Sequence, residues 1–242
     1  MITLTPAAAD WPLADRDLHL TYCRYAYDDD GLAGGVLHSA PHPAPAMTPR
    51  LPAALERAVP KRQAEYLAGR YCAQASLSAI GLPAPVEINS DRSPRWPPGG
   101  VGSISHADGL AVAVAARRER YGAVGIDVER MLDAETAAQI GGMLVVEDEM
   151  DLRPAGWSRE RFLTLVFSAK EALYKAVYPL CGQIMEFHDA RLHAIGDRAL
   201  TLSLCLRPYP AGVPEGRFCI DYRFEDDMCM TLLAVEAARC PS

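Results

Sequence analysis

The chain has 242 residues, 24 basic and 31 acidic side chains, and a formal charge of −7. Half of its residues are hydrophobic and 23% are charged, which excludes a disordered chain and supplies enough apolar surface for a full core. The acidic balance excludes a general nucleic-acid binder, which needs a basic stripe, but leaves room for a local basic pocket that holds a phosphorylated small molecule.

The length suits one large domain or two of about 120 residues. The longest apolar run, Leu110 to Ala116, is far short of the roughly 20 residues that cross a bilayer. The N-terminal residues lack a basic n-region and an apolar h-region, so no signal peptide is predicted. Seven cysteines (Cys23, Cys72, Cys181, Cys205, Cys219, Cys229 and Cys240) form no C-x-x-C pair. An odd, scattered set predicts reduced thiols and a cytoplasmic location rather than a disulfide framework or a zinc site.

Taken in chain order, Leu18 to Arg24 reads as a strand. The stretch with Gly31, Gly34, Gly35, Pro41, Pro43, Pro45 and Pro49 reads as a loop. Residues 60–80 predict a helix, with Pro60 in its first turn and Gly81 just past its end. Residues 89–100 read as a loop. Val101 to Ala116 predicts a hairpin that turns at Ala107-Asp108-Gly109. Gly122 to Glu129 is a further strand. A helix over 133–150 is expected to break at Gly141 and Gly142. Arg159 to Val177 is the strongest helix, expected to end at Pro179. Three alternating segments then predict antiparallel strands, with turns at Gly196-Asp197 and Pro214-Glu215-Gly216.

Four groups of residues carry chemistry. Asp127 and Glu129 in VGIDVE are two apart on a strand and share a face. Such a pair binds a hard divalent cation together with substrate phosphates, or simply ends a solvated strand. Glu171 and Lys175 in FSAKEALYK share a helix face, with Lys170 and Tyr174 on the neighbouring one; the alternative is a surface ion pair of about 0.3–0.5 kcal/mol. His106 sits at the hairpin turn with Ser103 and Ser105 nearby. The G-x-S-x-G elbow of hydrolases is absent, and a turn histidine is also an ordinary hydrogen-bond partner. Lys61, Arg62 and Arg70 on the first helix, with Arg92 and Arg95 in the next loop, form either a phosphate grip or a charged outer face.

Together these elements resemble the 4′-phosphopantetheinyl transferases of the monomeric, surfactin-synthetase-activating type, in their enterobactin and mycobacterial branch. The residues that carry the resemblance are KRQAEYLAGR (61–70), SDRSPRWPPGGVGSISHADG (90–109), VGIDVER (124–130) and FSAKEALYKA (167–176). Both halves of the family signature are complete: G-[IV]-D-x-E, then about 40 residues on, [FW]-[SCT]-x-K-E-[AS]-x-x-K. The resemblance covers about residues 55–180.

The resemblance implies an α+β fold, a pseudo-twofold pair of similar halves over residues 1–120 and 121–242 with the active site in the cleft between them. It implies transfer of the 4′-phosphopantetheine arm of coenzyme A to a serine of an apo acyl, peptidyl or aryl carrier protein, with release of adenosine 3′,5′-bisphosphate. Asp127, Glu129 and Glu171 map onto the Mg²⁺-binding carboxylates. Glu171 is also the expected base for the serine proton, and Lys175 the stabiliser of the leaving phosphate. Arg62, Arg70, Arg92, Ser105, His106 and Lys170 map onto the coenzyme A contacts. The chain departs from the family in two places. Val128 stands where some members carry a polar group that reaches the metal, which leaves Mg²⁺ against Mn²⁺ open. Arg92 stands where members often have lysine. The expected partners are carrier proteins, with no nucleic acid and no membrane, and the expected state is a monomer. The apolar run Met143 to Val146 is either a docking patch or core. Competing readings are a non-catalytic coenzyme A or carrier-binding module, a metal-dependent nuclease (whose usual E-x-K spacing is not met), and a hydrolase built on Ser105 and His106.

Overall fold

The computed structural model describes residues 16–26 and 49–237. The expected loop over Gly31 to Pro45 lies outside the described residues, as does Cys240. The described chain divides into two compact units. The first runs up to Val124 and the second from Gly125 to Val235.

The first unit holds β1 (Leu18–Arg24), helix α1 (Pro60–Ala79), the two-residue strands β2 (Glu87–Ile88) and β3 (Pro94–Arg95), β4 (Gly100–Ala107) and β5 (Leu110–Arg117). Its sheet has the order β1-β5-β4, with both pairings antiparallel. β5 is the central strand, and its run LAVAVAA is buried from end to end. A strand covered on both faces reads as a continuous apolar run, not as an alternation. Asp108 (φ 45°) and Gly109 (φ 76°) both take the left-handed conformation at the β4–β5 turn. Two positive φ angles are what a two-residue turn matched to strand twist requires, and Asp-Gly supplies them at low cost. α1 lies on the sheet through small residues. Ala68, Cys72 and Ala73 meet Ala111, Ala113 and Ala115 in one core. Cys72 Sγ lies 3.4 Å from Cys23 Sγ, and all six described cysteines are free thiols.

β6 (Tyr121–Arg130) crosses from one unit to the next in sequence. The second unit continues with α2 (Ala134–Leu144), α3 (Glu147–Met150), α4 (Arg159–Cys181), and strands β7 (Ala190–Ile195), β8 (Ala199–Leu204), β9 (Arg217–Glu225) and β10 (Met228–Glu236). Its sheet order is β6-β10-β9-β8-β7. The fold class is α+β, as expected. No helix among the described residues is long and apolar enough to cross a membrane.

Three local expectations differ from the structure. α2 runs through Gly141 and Gly142 without a break. A side chain at Gly141 would meet Arg159 Nη2 at 2.6 Å, so close packing on α4 outweighs the roughly 1 kcal/mol helix penalty of glycine. α4 continues past Pro179 to Cys181 and ends at Gly182 (φ 65°), whose N–H donates to the Tyr178 carbonyl at 2.7 Å. In the last turn a proline forfeits one backbone bond, and the left-handed glycine sets the true end. β7 escaped prediction because only Ala190 and Leu192 of its six residues are buried and a register shift at Leu192/Ala194 interrupts its alternation.

One contact governs the second unit. A Cβ at Gly125 would lie 1.9 Å from the Ala172 carbonyl oxygen and 2.9 Å from the Ala176 nitrogen, so β6 touches the backbone of α4. Gly125→Ala must push strand and helix apart. We expect a loss of about 3 kcal/mol in urea denaturation, against a gain of up to about 1 kcal/mol for Gly142→Ala, which removes the helix penalty of glycine where the surface is open.

Candidate active site

Alternation along β6 puts Gly125, Asp127 and Glu129 on one face, and the Gly125 contact turns that face to α4. Val128 points the other way and is fully buried in the core. On α4, Glu171 and Lys175 are one turn apart. Lys175 Nζ donates to Asp127 Oδ1 at 2.6 Å. The Asp127 side chain is 2% exposed and that of Lys175 is 26% exposed, so the pair is buried at its carboxylate end and wet at its ammonium. Glu171 is half-buried beside them. Burial pushes its carboxyl above the ordinary value, the Lys175 charge partly offsets this, and the Asp127 charge adds to it. Asp127 and Glu171 therefore feel each other across the strand–helix junction.

Cys229 on β10 senses the same neighbourhood. Burial raises its thiol pKa first, and the charges of both Asp127 and Glu129 contribute. Asp127 and Glu171 thus lie beside one ammonium, and Glu129 lies further along the same strand face, near Cys229. Among the described residues, however, no three acidic, histidine or cysteine side chains are drawn together as a closed metal cluster. The donor set still suits a hard divalent cation. It offers carboxylate oxygens alone, in excess over the one ammonium, with sulfur only as a protonated neighbour.

Lys170 has a different environment from the one expected for a coenzyme A contact. Its side chain is 1% exposed, its Nζ donates to the Leu144 carbonyl at 2.7 Å, and it pairs with Glu149 at 3.4 Å. Adjacent helix residues point about 100° apart, so Lys170 faces the interior while Glu171 faces β6. Glu149 binds more than the lysine. It accepts from the Leu192 N–H at 2.5 Å and from the Val146 N–H at 2.9 Å. Its only signal in the sequence is an acidic residue three positions into a helix start, which is common. This knot also settles the Met143–Val146 run: Leu144 and Val145 are core, whereas Met143 is 61% and Val146 37% exposed.

In the first unit, Glu65 gathers two of the predicted residues. Arg62 Nη1 lies 3.6 Å from one carboxylate oxygen and His106 Nδ1 3.8 Å from the other. Glu65 stands within the quoted helix motif, but sequence gave it no partner. Arg70 lies deeper, 6% exposed, on the wall of a cavity of about 730 Å³. Its Nε donates to the Val86 carbonyl at 2.9 Å and its Nη2 to that of Glu87 at 3.2 Å. Arg92 is exposed at the tip of a tight turn, with φ 71°. Ser105 is buried and, as the neighbour of His106 on β4, turns to the opposite face. The structure therefore does not bring the two together as a serine–histidine pair.

The buried pair yields a direct expectation. Lys170→Met leaves the buried Glu149 carboxyl with no ammonium beside it. We expect a loss of about 3–5 kcal/mol in urea denaturation, and a smaller loss for Lys175→Met, where the ammonium that is removed is itself 26% exposed.

Comparison with known proteins identifies the family. Residues 51–116 match the family model described as "4′-phosphopantetheinyl transferase N-terminal domain". Residues 123–222 match "4′-phosphopantetheinyl transferase superfamily". Among curated proteins, the chain is 34% identical over 177 residues to the 4′-phosphopantetheinyl transferase Svp of Streptomyces mobaraensis, covering 69% of each. It is 35% identical over 169 residues to the 4′-phosphopantetheinyl transferase PptT of Mycobacterium tuberculosis, covering 67% of this chain and 71% of that one. It is 40% identical over 117 residues to the enterobactin synthase component D of Salmonella typhi, a match that spans about half (48%) of each. On these matches the chain belongs to the 4′-phosphopantetheinyl transferase superfamily, a family of enzymes.

Proposed function

We propose that this enzyme transfers the 4′-phosphopantetheine arm of coenzyme A to a serine of an apo carrier protein, with Mg²⁺ required and adenosine 3′,5′-bisphosphate released. The observation that supports it best is the junction of Asp127, Lys175 and Glu171 across β6 and α4, built from both halves of the signature. In this reaction the serine Oγ forms a bond to the β-phosphorus of the coenzyme. The bond from that phosphorus to the bridging oxygen breaks, and the nucleotide leaves with that oxygen. The serine proton must go to a base within hydrogen-bond reach. Glu171 takes that role, its carboxylate placed by α4. Lys175 stabilises charge on the departing phosphate and steers Asp127. Asp127, Glu129 and Glu171 would hold the Mg²⁺, which when bound supplies charge neutralisation at the pyrophosphate.

Arg62, Arg70, Arg92 and His106 grip the anionic end of coenzyme A. Guanidinium groups suit phosphate oxygens because their donors form a planar fork. Binding energy gained there, far from the reacting phosphorus, aligns the pyrophosphate for attack. Lys170 is left out of this set because its ammonium is already enclosed by Leu144 and Glu149. Relatives named enterobactin synthase component D support a carrier protein of siderophore assembly as one partner class.

The test is intact mass spectrometry of an apo aryl, peptidyl or acyl carrier after incubation with the enzyme, coenzyme A and Mg²⁺. A gain of one phosphopantetheine is expected, abolished by EDTA. Glu171→Gln should lower the rate by about 10²–10⁴-fold, the range of a lost general base. No gain on any carrier, with coenzyme A still bound, would replace the proposal with a non-catalytic binding module.

A further inference from the structure

The cavity of the first unit contains a polar atom that the chemistry above does not use. Gln74 lies on α1 and is 5% exposed. Its side-chain oxygen Oε1 is buried and has no hydrogen-bond partner among the described residues. Buried acceptors are nearly always satisfied, so an orphan beside a cavity points to a donor brought by a ligand. Gln74 follows Tyr66 and Arg70 at intervals of four, which puts the three on one stripe of the helix, and all three line the cavity. The Arg70 guanidinium is fixed by the Val86 and Glu87 carbonyls and stacks 4.6 Å from the centre of the Tyr66 ring. Val86 and Ile88 add apolar wall. The stripe thus runs from an aromatic face and an oriented cation to a buried carbonyl oxygen. About 730 Å³ is room for a ligand of nucleotide size.

The two ends of that stripe ask for different groups. A phosphate is mostly deprotonated at neutral pH and is repelled by a carbonyl oxygen, so it belongs at Arg70. The group at Gln74 must carry an N–H or O–H, and the apolar walls favour a flat ring over a hydrated sugar. We propose that Gln74 is a specificity-determining residue whose Oε1 accepts a hydrogen bond from the exocyclic amine of the adenine of coenzyme A. The proposal rests on the coenzyme A reading above. Its consequence is selectivity: a base without the amine leaves the buried oxygen unpaired again, and sites of this kind reject the analogue that lacks the group.

The experiment titrates the full-length chain by calorimetry with adenosine 3′,5′-bisphosphate and with its analogue lacking the 6-amino group. The wild type should prefer the amino compound by about tenfold, the value of one such hydrogen bond. Gln74→Met, close in volume, should erase the preference by weakening only the amino compound, and Gln74→Glu, which keeps an acceptor, should retain it. Equal binding of both probes to the wild type overturns the proposal without any variant. A preference that survives in Gln74→Met overturns it too. If the wild type binds neither probe, the coenzyme A reading falls with it; if it binds both equally and still modifies a carrier, only the role of Gln74 falls.

Discussion

The second unit depends on the contact between a strand and the backbone of a helix. No side chain larger than hydrogen fits between Gly125 and the Ala172 carbonyl. That approach sets where α4 lies, and α4 carries both Glu171 and Lys175. Two residues along β6 it sets Asp127 opposite Lys175 at 2.6 Å. The glycine of the G-I-D signature therefore has a steric reason, and the carboxylate that follows it has a positional one. Moving the helix outward by the width of a methyl group would open the ammonium–carboxylate bond as well as the packing.

α4 carries two lysines with similar partners and opposite environments. Lys170 meets Glu149 with both side chains at most 3% exposed, and each group is further held by backbone N–H or carbonyl groups. Such an enclosed pair is a strut: it fixes the α2–α3 connection and β7 against the helix, and its burial denies it a ligand. Lys175 meets an equally buried Asp127, but keeps a quarter of its own side chain in water. That end of the side chain is open to water. Solvent access, not residue type, separates the enclosed lysine from the one proposed to act on substrate.

In the first unit small residues do the corresponding work. Alanine, cysteine and glycine let α1 lie close on β5, and this leaves the longer Tyr66, Arg70 and Gln74 to line one side of the helix. The first unit thus offers guanidinium groups and a histidine, and the second offers carboxylates.

The sequence by itself determined the family and most of the element order, and it singled out the candidate reacting groups. Helix α1 was legible from Pro60 and Gly81, the hairpin from Asp108-Gly109, and the pairs Asp127/Glu129 and Glu171/Lys175 from the strand and helix periods. These features are local, and local spacing fixes which residues share a face. Four matters were decided by tertiary structure alone. The unbroken α2 needed Arg159 packed over Gly141. The end of α4 needed the left-handed Gly182 beyond Pro179. The enclosure of Lys170 needed Glu149, 21 residues away. The cavity beside Gln74 needed the 85–88 segment laid across α1. Each depends on a partner distant in the chain, and a periodic pattern carries no information about which distant residue will arrive at a given face.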